Sequence, residues 1–185
     1  LFETSRMDTT KRKDVILRAF AKVANEREDC LLFIGGGPEN EVFASLQEIL
    51  TDLPELKDRA FLLGFIPEEY LPMLFSFCDI YVSASEMEGF GMSVAQAAID
   101  AKAIISSDKI PFTNFYLSEE AIIVPAGDVD GFADGMRHLL DHDREREERG
   151  EQIKEKAKGF GWENLTQKFI MDLNQKNFDI PITKH

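Results

Sequence analysis

Residues 83–107 read SASEMEGFGMSVAQAAIDAKAIISS, and they are flanked and closed by apolar runs. Asp79-Ile80-Tyr81-Val82, rich in β-branched and aromatic residues, leads into a short polar segment and then Glu88-Gly89-Phe90-Gly91. A helical pattern follows, and Ala103-Ile104-Ile105 begins a second apolar run. Strand, glycine loop, helix, strand is the plan of a βαβ unit. Its loop meets the positive end of a helix, where free backbone N–H groups suit phosphate or sugar oxygens. This is not the dinucleotide fingerprint, because these glycines follow the fourth apolar run and no glycine-rich turn follows the first.

Working outward, the same alternation continues in both directions. Residues 1–5 read as a strand that begins abruptly, as if cut in mid-element, and 6–11 as a polar loop. Val15, Leu17, Ala19, Phe20, Val23 and Ala24 repeat at helical spacing over 14–26. Residues 31–34 form a buried strand that Gly35-Gly36-Gly37-Pro38 ends sharply, and 39–50 a second helix with acidic residues in its first turn. A third strand at 60–63 runs into Gly64-Phe65-Ile66, and Pro67 opens a short helix through Phe75. Strands at 103–106 and 121–124, helices at 129–142 and through Lys158, and a last helix over 162–176 complete the pattern. Short continuous apolar strands alternating with helices predict a parallel sheet covered on both faces. The expected fold is therefore a Rossmann-like, doubly wound α/β domain of about six strands, occupying 1–185 as one unit. Ligands of such folds bind beyond the carboxyl ends of the strands, where Arg6, Gly35, Gly64 and Glu88 all fall.

Composition narrows the function. With 44% apolar residues among 185, the chain can bury one full core. A net charge of −13 argues against a nucleic-acid partner or an anionic membrane surface. Much of the acidity lies in 141–155, DHDREREERGEQIKE, which mixes both signs at helical spacing and reads as a solvated helix face. Cys30 and Cys78 adjoin or enter apolar runs and read as buried free thiols of a reducing compartment. No apolar run reaches a membrane span and no signal peptide opens the chain, so a cytoplasmic location is expected. His138 and His142 lie four apart on one helix; no cysteine or third histidine is placed to join them, so they read as an exposed face.

The strand ends offer a consistent chemistry. Arg6 and Lys11 are cations suited to a diphosphate, one as a fork and one as a point charge. Gly35-Gly36-Gly37 removes side chains at the sheet top, where a ligand or another backbone could approach closely. Glu88 can accept hydrogen bonds from sugar hydroxyls while the amides of the following helix turn donate to oxygens. Gln96, two turns on, could reach another part of an extended ligand, or could simply be a partly exposed helix residue.

Taken together these segments resemble the C-terminal, nucleotide-sugar-binding domain of GT-B glycosyltransferases, in the retaining family 4 known as glycosyl transferases group 1. Ser5-Arg6 with Lys11, then Ala19-Phe20, is similar to the family's G-R-x-x-x-x-K…A-F. Phe33 to Glu39 resembles I-x-G-x-G-P-E, and Phe61 to Pro67 with Leu71-Pro72 resembles F-x-G-[FY]-v-P…L-P. Ser85 to Gln96 resembles S-x-x-E-G-F-G-x-x-x-x-E, and Phe160-Gly161-Trp162 the late F-s-W.

The resemblance implies roles position by position. Arg6 and Lys11 would hold the donor diphosphate, and with Glu88, which would contact the transferred sugar, they form the expected catalytic set. Gly36 and Gly37 would flank the donor, and Gly64, Phe65 and Ile66 would line the base pocket. Gly89 and the amides around Phe90, Gly91 and Met92 would bind hydroxyls or phosphates, and Gln96 stands where the family's second glutamate meets the ribose. The substrate implied is a UDP-, GDP- or ADP-linked hexose, with no metal and no separate cofactor. The acceptor site would belong to an N-terminal Rossmann domain outside this chain, as would any peripheral membrane association. The isolated domain would bind donor without transferring it. Two departures stand out: Gln96 replaces an acid, and Asp100-Ala101-Lys102-Ala103-Ile104-Ile105-Ser106 lacks the glycine and proline of the usual A-x-G-x-P-V-I-A. A non-catalytic nucleotide-sugar-binding paralogue, used as sensor or scaffold, is the alternative. A flavodoxin-like signalling domain would need an acid after the first strand, where Ser5-Arg6 stands.

Overall fold

The computed structural model describes residues 1–160, so the helix expected over 162–176 and most of the late aromatic motif lie outside it. The strands are β1 (Phe2–Thr4), β2 (Leu32–Gly35), β3 (Ala60–Gly64), β4 (Ile80–Ser83), β5 (Ala103–Ser107) and β6 (Ile122–Val124). They pair in parallel throughout, in the order β3-β2-β1-β4-β5-β6. That order is the doubly wound arrangement the alternating pattern predicts, and it reverses direction between β1 and β4.

Two apolar cores follow from the pleat, since successive residues of a strand face opposite sides. Ile80, Val82, Ala103 and Ile105 enter the core shared with α1 (Lys13–Ala24), α2 (Glu41–Asp52) and α6 (Val129–Asp141). Tyr81 and Ile104 enter the other core, with α3 (Leu71–Phe77), α4 (Met92–Ile99), α5 (Pro111–Tyr116) and α7 (Asp143–Ala157). Every residue of β4 and β5 is buried, which is why both strands read as unbroken apolar runs. Cys30 and Cys78 are buried and free, and burial pushes the Cys78 thiol up to about 11. No helix among the described residues is long and apolar enough to cross a membrane.

Two helices differ from expectation. Pro67 caps a 3₁₀ turn over Glu68–Tyr70, and the proline in the first turn of α3 is Pro72. Pro67 therefore ends the loop after β3, and the helix begins one proline later. Helix α5 was not expected at all. Its six residues are too few to show a period, and Pro111 at its start is the one local signal.

Helix α4 ends in a Schellman turn: the amide of Lys102 reaches the carbonyl of Ala97 and that of Ala101 the carbonyl of Ala98. The turn requires a left-handed residue, and Ala101 adopts φ 56° without glycine's freedom. Ala101→Gly should therefore stabilise the chain by about 0.5–1 kcal/mol, the left-handed penalty outweighing glycine's greater entropy when unfolded. Urea denaturation checks this; a lower midpoint for the variant would mean that the turn is not strained.

Candidate functional site

The sheet is weakest where its order reverses. β1 and β4 share a single register pair, Phe2 with Tyr81, whereas β4 and β5 share four. Beyond that pair the strands part, and the Tyr81 hydroxyl spans the gap by donating to the carbonyl of Thr4 at 2.9 Å. Burial first, and then the negative charge of Glu3, raise the pKa of this phenol, so it stays a neutral donor. The order reversal between β1 and β4 is the topological switch point, the place where an open α/β sheet binds its ligand.

The loop after β1 forms one wall. Asp8 caps a 3₁₀ turn, Thr9–Lys11, by accepting from the Thr10 amide. The Thr10 hydroxyl and amide hold the Asp8 carboxyl below its usual range. The turn aims Lys11 inward: it is buried, and its Nζ lies 2.5 Å from Glu88 Oε1 of the loop after β4. That loop is strapped to the same segment at two further points. The Glu86 amide and the Ser85 hydroxyl both reach the Thr10 carbonyl, at 2.8 and 3.2 Å. Arg12, itself in the left-handed region at φ 48°, donates to Glu86 at 3.0 Å and to Asp14 at 3.1 Å. Arg6, in the same loop, is exposed and has no ion-pair partner among the described residues.

The glycines after β2 form the second wall. Gly36 has φ 116°, and a Cβ there would overlap the Ser5 carbonyl. Only glycine lets the two loops touch. Its amide donates to the Gly64 carbonyl at 2.7 Å, and the Met7 amide donates to the Gly37 carbonyl at 3.1 Å. Gly37 abuts Phe65, which is 73% exposed and open to a planar ligand, while Ile66 folds over Gly35.

Helix α4 closes the third side. Gly91, at φ 104°, is its N-cap and supplies no side-chain oxygen, so the first-turn amides have no side-chain partner. The Phe112 amide donates to the Phe90 carbonyl at 2.9 Å, which ties the Gly89-Phe90 loop to α5. Met92 is 74% exposed at the helix start. Gln96 does not join the Lys11–Glu88 cluster: it is exposed, and its Nε2 donates to Asp100 at 3.1 Å, leaving its carbonyl oxygen available. The structure thus brings Lys11 and Glu88 into contact, gathers Gly36, Gly37, Gly64, Phe65 and Ile66 at one edge, and leaves Gln96 separate.

A second ion pair beneath the site was not foreseen. Glu3 and Lys13, each 1% exposed, are paired. Lys13 Nζ also donates to the carbonyls of Ser5 at 3.2 Å and Gly35 at 2.8 Å, and the Ser5 hydroxyl donates to Glu3 at 2.5 Å. These bonds lock the ends of β1 and β2 to the first turn of α1. A glutamate inside an otherwise buried parallel strand was the available signal. The cavity of about 420 Å³ lined by Leu1, Phe2, Leu31, Phe33 and Phe77 is at the other end of the sheet; its charged side chains are Asp29 and Asp79, so it has no side-chain cation for a phosphate.

Comparison with known proteins adds the following. The family model described as "Glycosyl transferases group 1" matches residues 1–158. An N-acetyl-alpha-D-glucosaminyl L-malate synthase of Bacillus anthracis is 27% identical over 157 residues, 84% of this chain and 39% of that protein. The O-antigen chain mannosyltransferase B of Escherichia coli is 28% identical over 108 residues, 58% of this chain and 28% of its own. The chain thus spans well under half the length of these relatives. Among solved structures, the C-terminal domain of a glycosyl transferase group 1 family protein from Francisella tularensis superposes with a TM-score of 0.77 at 19% identity, covering 85% of this chain and 83% of that one. HepE from Anabaena, in complex with UDP, gives 0.80 at 17% identity over 94% of this chain and 48% of its own.

Proposed function

The chain belongs to the glycosyl transferases group 1 family, and from that premise we propose that it is the donor-binding half of a retaining hexosyltransferase that uses a nucleoside diphosphate sugar. The observation that carries the reading is the Lys11–Glu88 ion pair, with Lys11 buried and Glu88 half-buried, at the strand ends where the sheet order reverses. A cation and a carboxylate in contact there can meet the two halves of a sugar diphosphate, the phosphates on one and the hydroxyls on the other. UDP in the similar HepE structure lends support from outside this chain.

In this reading the leaving group is the diphosphate. Arg6 as an exposed fork, Lys11 as a point charge and the uncapped amides of α4 neutralise the charge that develops on it. Phe65 offers its face to the base, and Gly36 and Gly37 let the donor lie against backbone. Glu88 orients the hexose hydroxyls. The acceptor would come from a preceding Rossmann domain, and the protein would work in the cytoplasm, with any membrane contact made through that other half. Metal is not required by this chemistry; loss of full-length activity on chelation, restored by Mg²⁺ or Mn²⁺, would overturn that point.

Calorimetric titration with UDP, GDP and ADP tests the reading and names the base, and failure to bind any of them would sink it. Gln96 bears on the alternative, a binding-only paralogue. Its carbonyl can accept from a ribose hydroxyl, but without the second acceptor oxygen and the charge of a carboxylate. Gln96→Glu should tighten nucleotide binding by less than about tenfold, because the new carboxylate would face Asp100 four residues on, a repulsion of a few tenths of a kcal/mol. Transfer by the full-length protein with its native Gln96 supports the enzyme; transfer only by the Gln96→Glu variant supports the paralogue.

A further inference from the structure

We propose that the elbow between α6 and α7 binds one divalent transition-metal ion of the zinc class, through a ring nitrogen each of His138 and His142 and a carboxylate oxygen of Glu145. The spacing of the two histidines alone reads as a solvated helix face. The fold adds the third ligand, because His142 ends α6 and α7 turns back at once, carrying Glu145 over the last turn of α6. One ligand atom from each residue lies within 4.8 Å of the others. His138 Nε2 and Glu145 Oε2 are already 3.0 Å apart. Ligand atoms around a tetrahedral ion with bonds of about 2.0–2.1 Å sit roughly 3.3 Å from one another, so small rotamer changes suffice to admit it.

Two of the ligands are also held by outer partners, as metal ligands are. His142 Nδ1 lies 2.8 Å from the His138 carbonyl; donating its proton there leaves the lone pair on Nε2. Arg149 Nε donates to Glu145 Oε1 at 2.8 Å, which leaves Oε2 turned to His138. Of the nearby arginines, Arg137 pairs with Glu26 and Asp134, Arg146 with Asp143, and Arg27 with Asp141, while Arg149 shares the Glu145 carboxylate with the ion. Two imidazoles and one carboxylate favour zinc, cobalt, nickel or copper over magnesium or calcium. On binding, the ion takes the place of the proton between His138 and Glu145, and the three groups come from two helices, so the ion would clasp them.

The test is titration of the 185-residue chain with Co²⁺ alone, read by its visible d–d absorption. One equivalent is expected to give a tetrahedral-type band. H138A and H142A should abolish it, E145Q should weaken binding about tenfold or more, and H185A should leave it unchanged. Zn²⁺ should raise the melting temperature of the wild type and of H185A but not of H142A, and Mg²⁺ should change neither. No band in the wild type, a band that survives H138A or H142A, or one lost in H185A would each overturn the site. All three ligand side chains are solvent-accessible, so the variants should keep the wild-type circular dichroism.

Discussion

Lys11→Ala should weaken binding of a nucleoside diphosphate by roughly 10- to 150-fold, the equivalent of a lost charge-assisted hydrogen bond of about 1.5–3 kcal/mol. Glu88→Gln should act in the opposite sense on the same ligand. The ammonium of Lys11 is now neutralised by Glu88 at 2.5 Å, so an incoming diphosphate must share it. Removing the carboxylate's charge frees that ammonium and removes a repulsion, and free nucleoside diphosphate should bind unchanged or a few-fold tighter. The sugar, however, loses the group that accepts its hydroxyl protons. The ratio of affinities for the sugar-linked and the free diphosphate should therefore fall by about tenfold or more in Glu88→Gln, and remain near the wild-type value in Lys11→Ala. Isothermal titration with both ligand forms reads this directly. If Lys11→Ala binds the diphosphate as well as the wild type, the pair is structural and the proposed phosphate role is wrong. If both variants lose both ligands equally, the pair only props the loop open.

What was legible beforehand follows from burial. Strands β4 and β5 are buried throughout and appear in the sequence as apolar runs, while β3 is apolar although Phe61 and Leu63 are exposed and β1 carries Glu3; all six could still be located to within a residue or two. The helix α5 was not legible, since a six-residue helix has too few turns to repeat a pattern. Lys11 and Glu88 could be named as candidates, one by charge after a strand and one by its glycine loop. Their contact could not, because the two stand 77 positions apart and only the parallel sheet brings their loops together. The strapping of Glu86 by Arg12 and Thr10 was hidden for the same reason. Gln96 was placed along the right helix, but its engagement with Asp100 depends on rotamers that no spacing rule supplies. Glu145 escaped notice as a third ligand because it looks like one more charge in a run of charges; the turn at His142 is what sets it over His138.

Glu3→Ala should be the most destabilising of the changes considered, at about 3–5 kcal/mol, the usual cost of stranding one partner of a buried ion pair. The chain cannot let Lys13 escape. It is 1% exposed, on the first residue of α1, and its stem is enclosed by β1 and β2. Two carbonyls, of Ser5 and Gly35, would remain as acceptors, but neither carries charge. Against a typical domain stability of about 5–15 kcal/mol the loss is large, and the urea midpoint should fall accordingly. Replacing both members, as Glu3→Met with Lys13→Met, removes the uncompensated charge and should recover most of that loss. The double-mutant cycle then separates electrostatic coupling from the packing of the two stems. The same pair explains why a charge was kept in the middle of the sheet. Lys13 gathers the last carbonyl of β2 and the first carbonyl beyond β1, and those residues precede Gly36 and Arg6 directly. A double variant that is stable yet binds diphosphate about as well as the wild type would show that this anchoring is dispensable to the site. A stable variant with weakened binding would show that the buried pair holds the two loops in the geometry that Lys11 and Glu88 require.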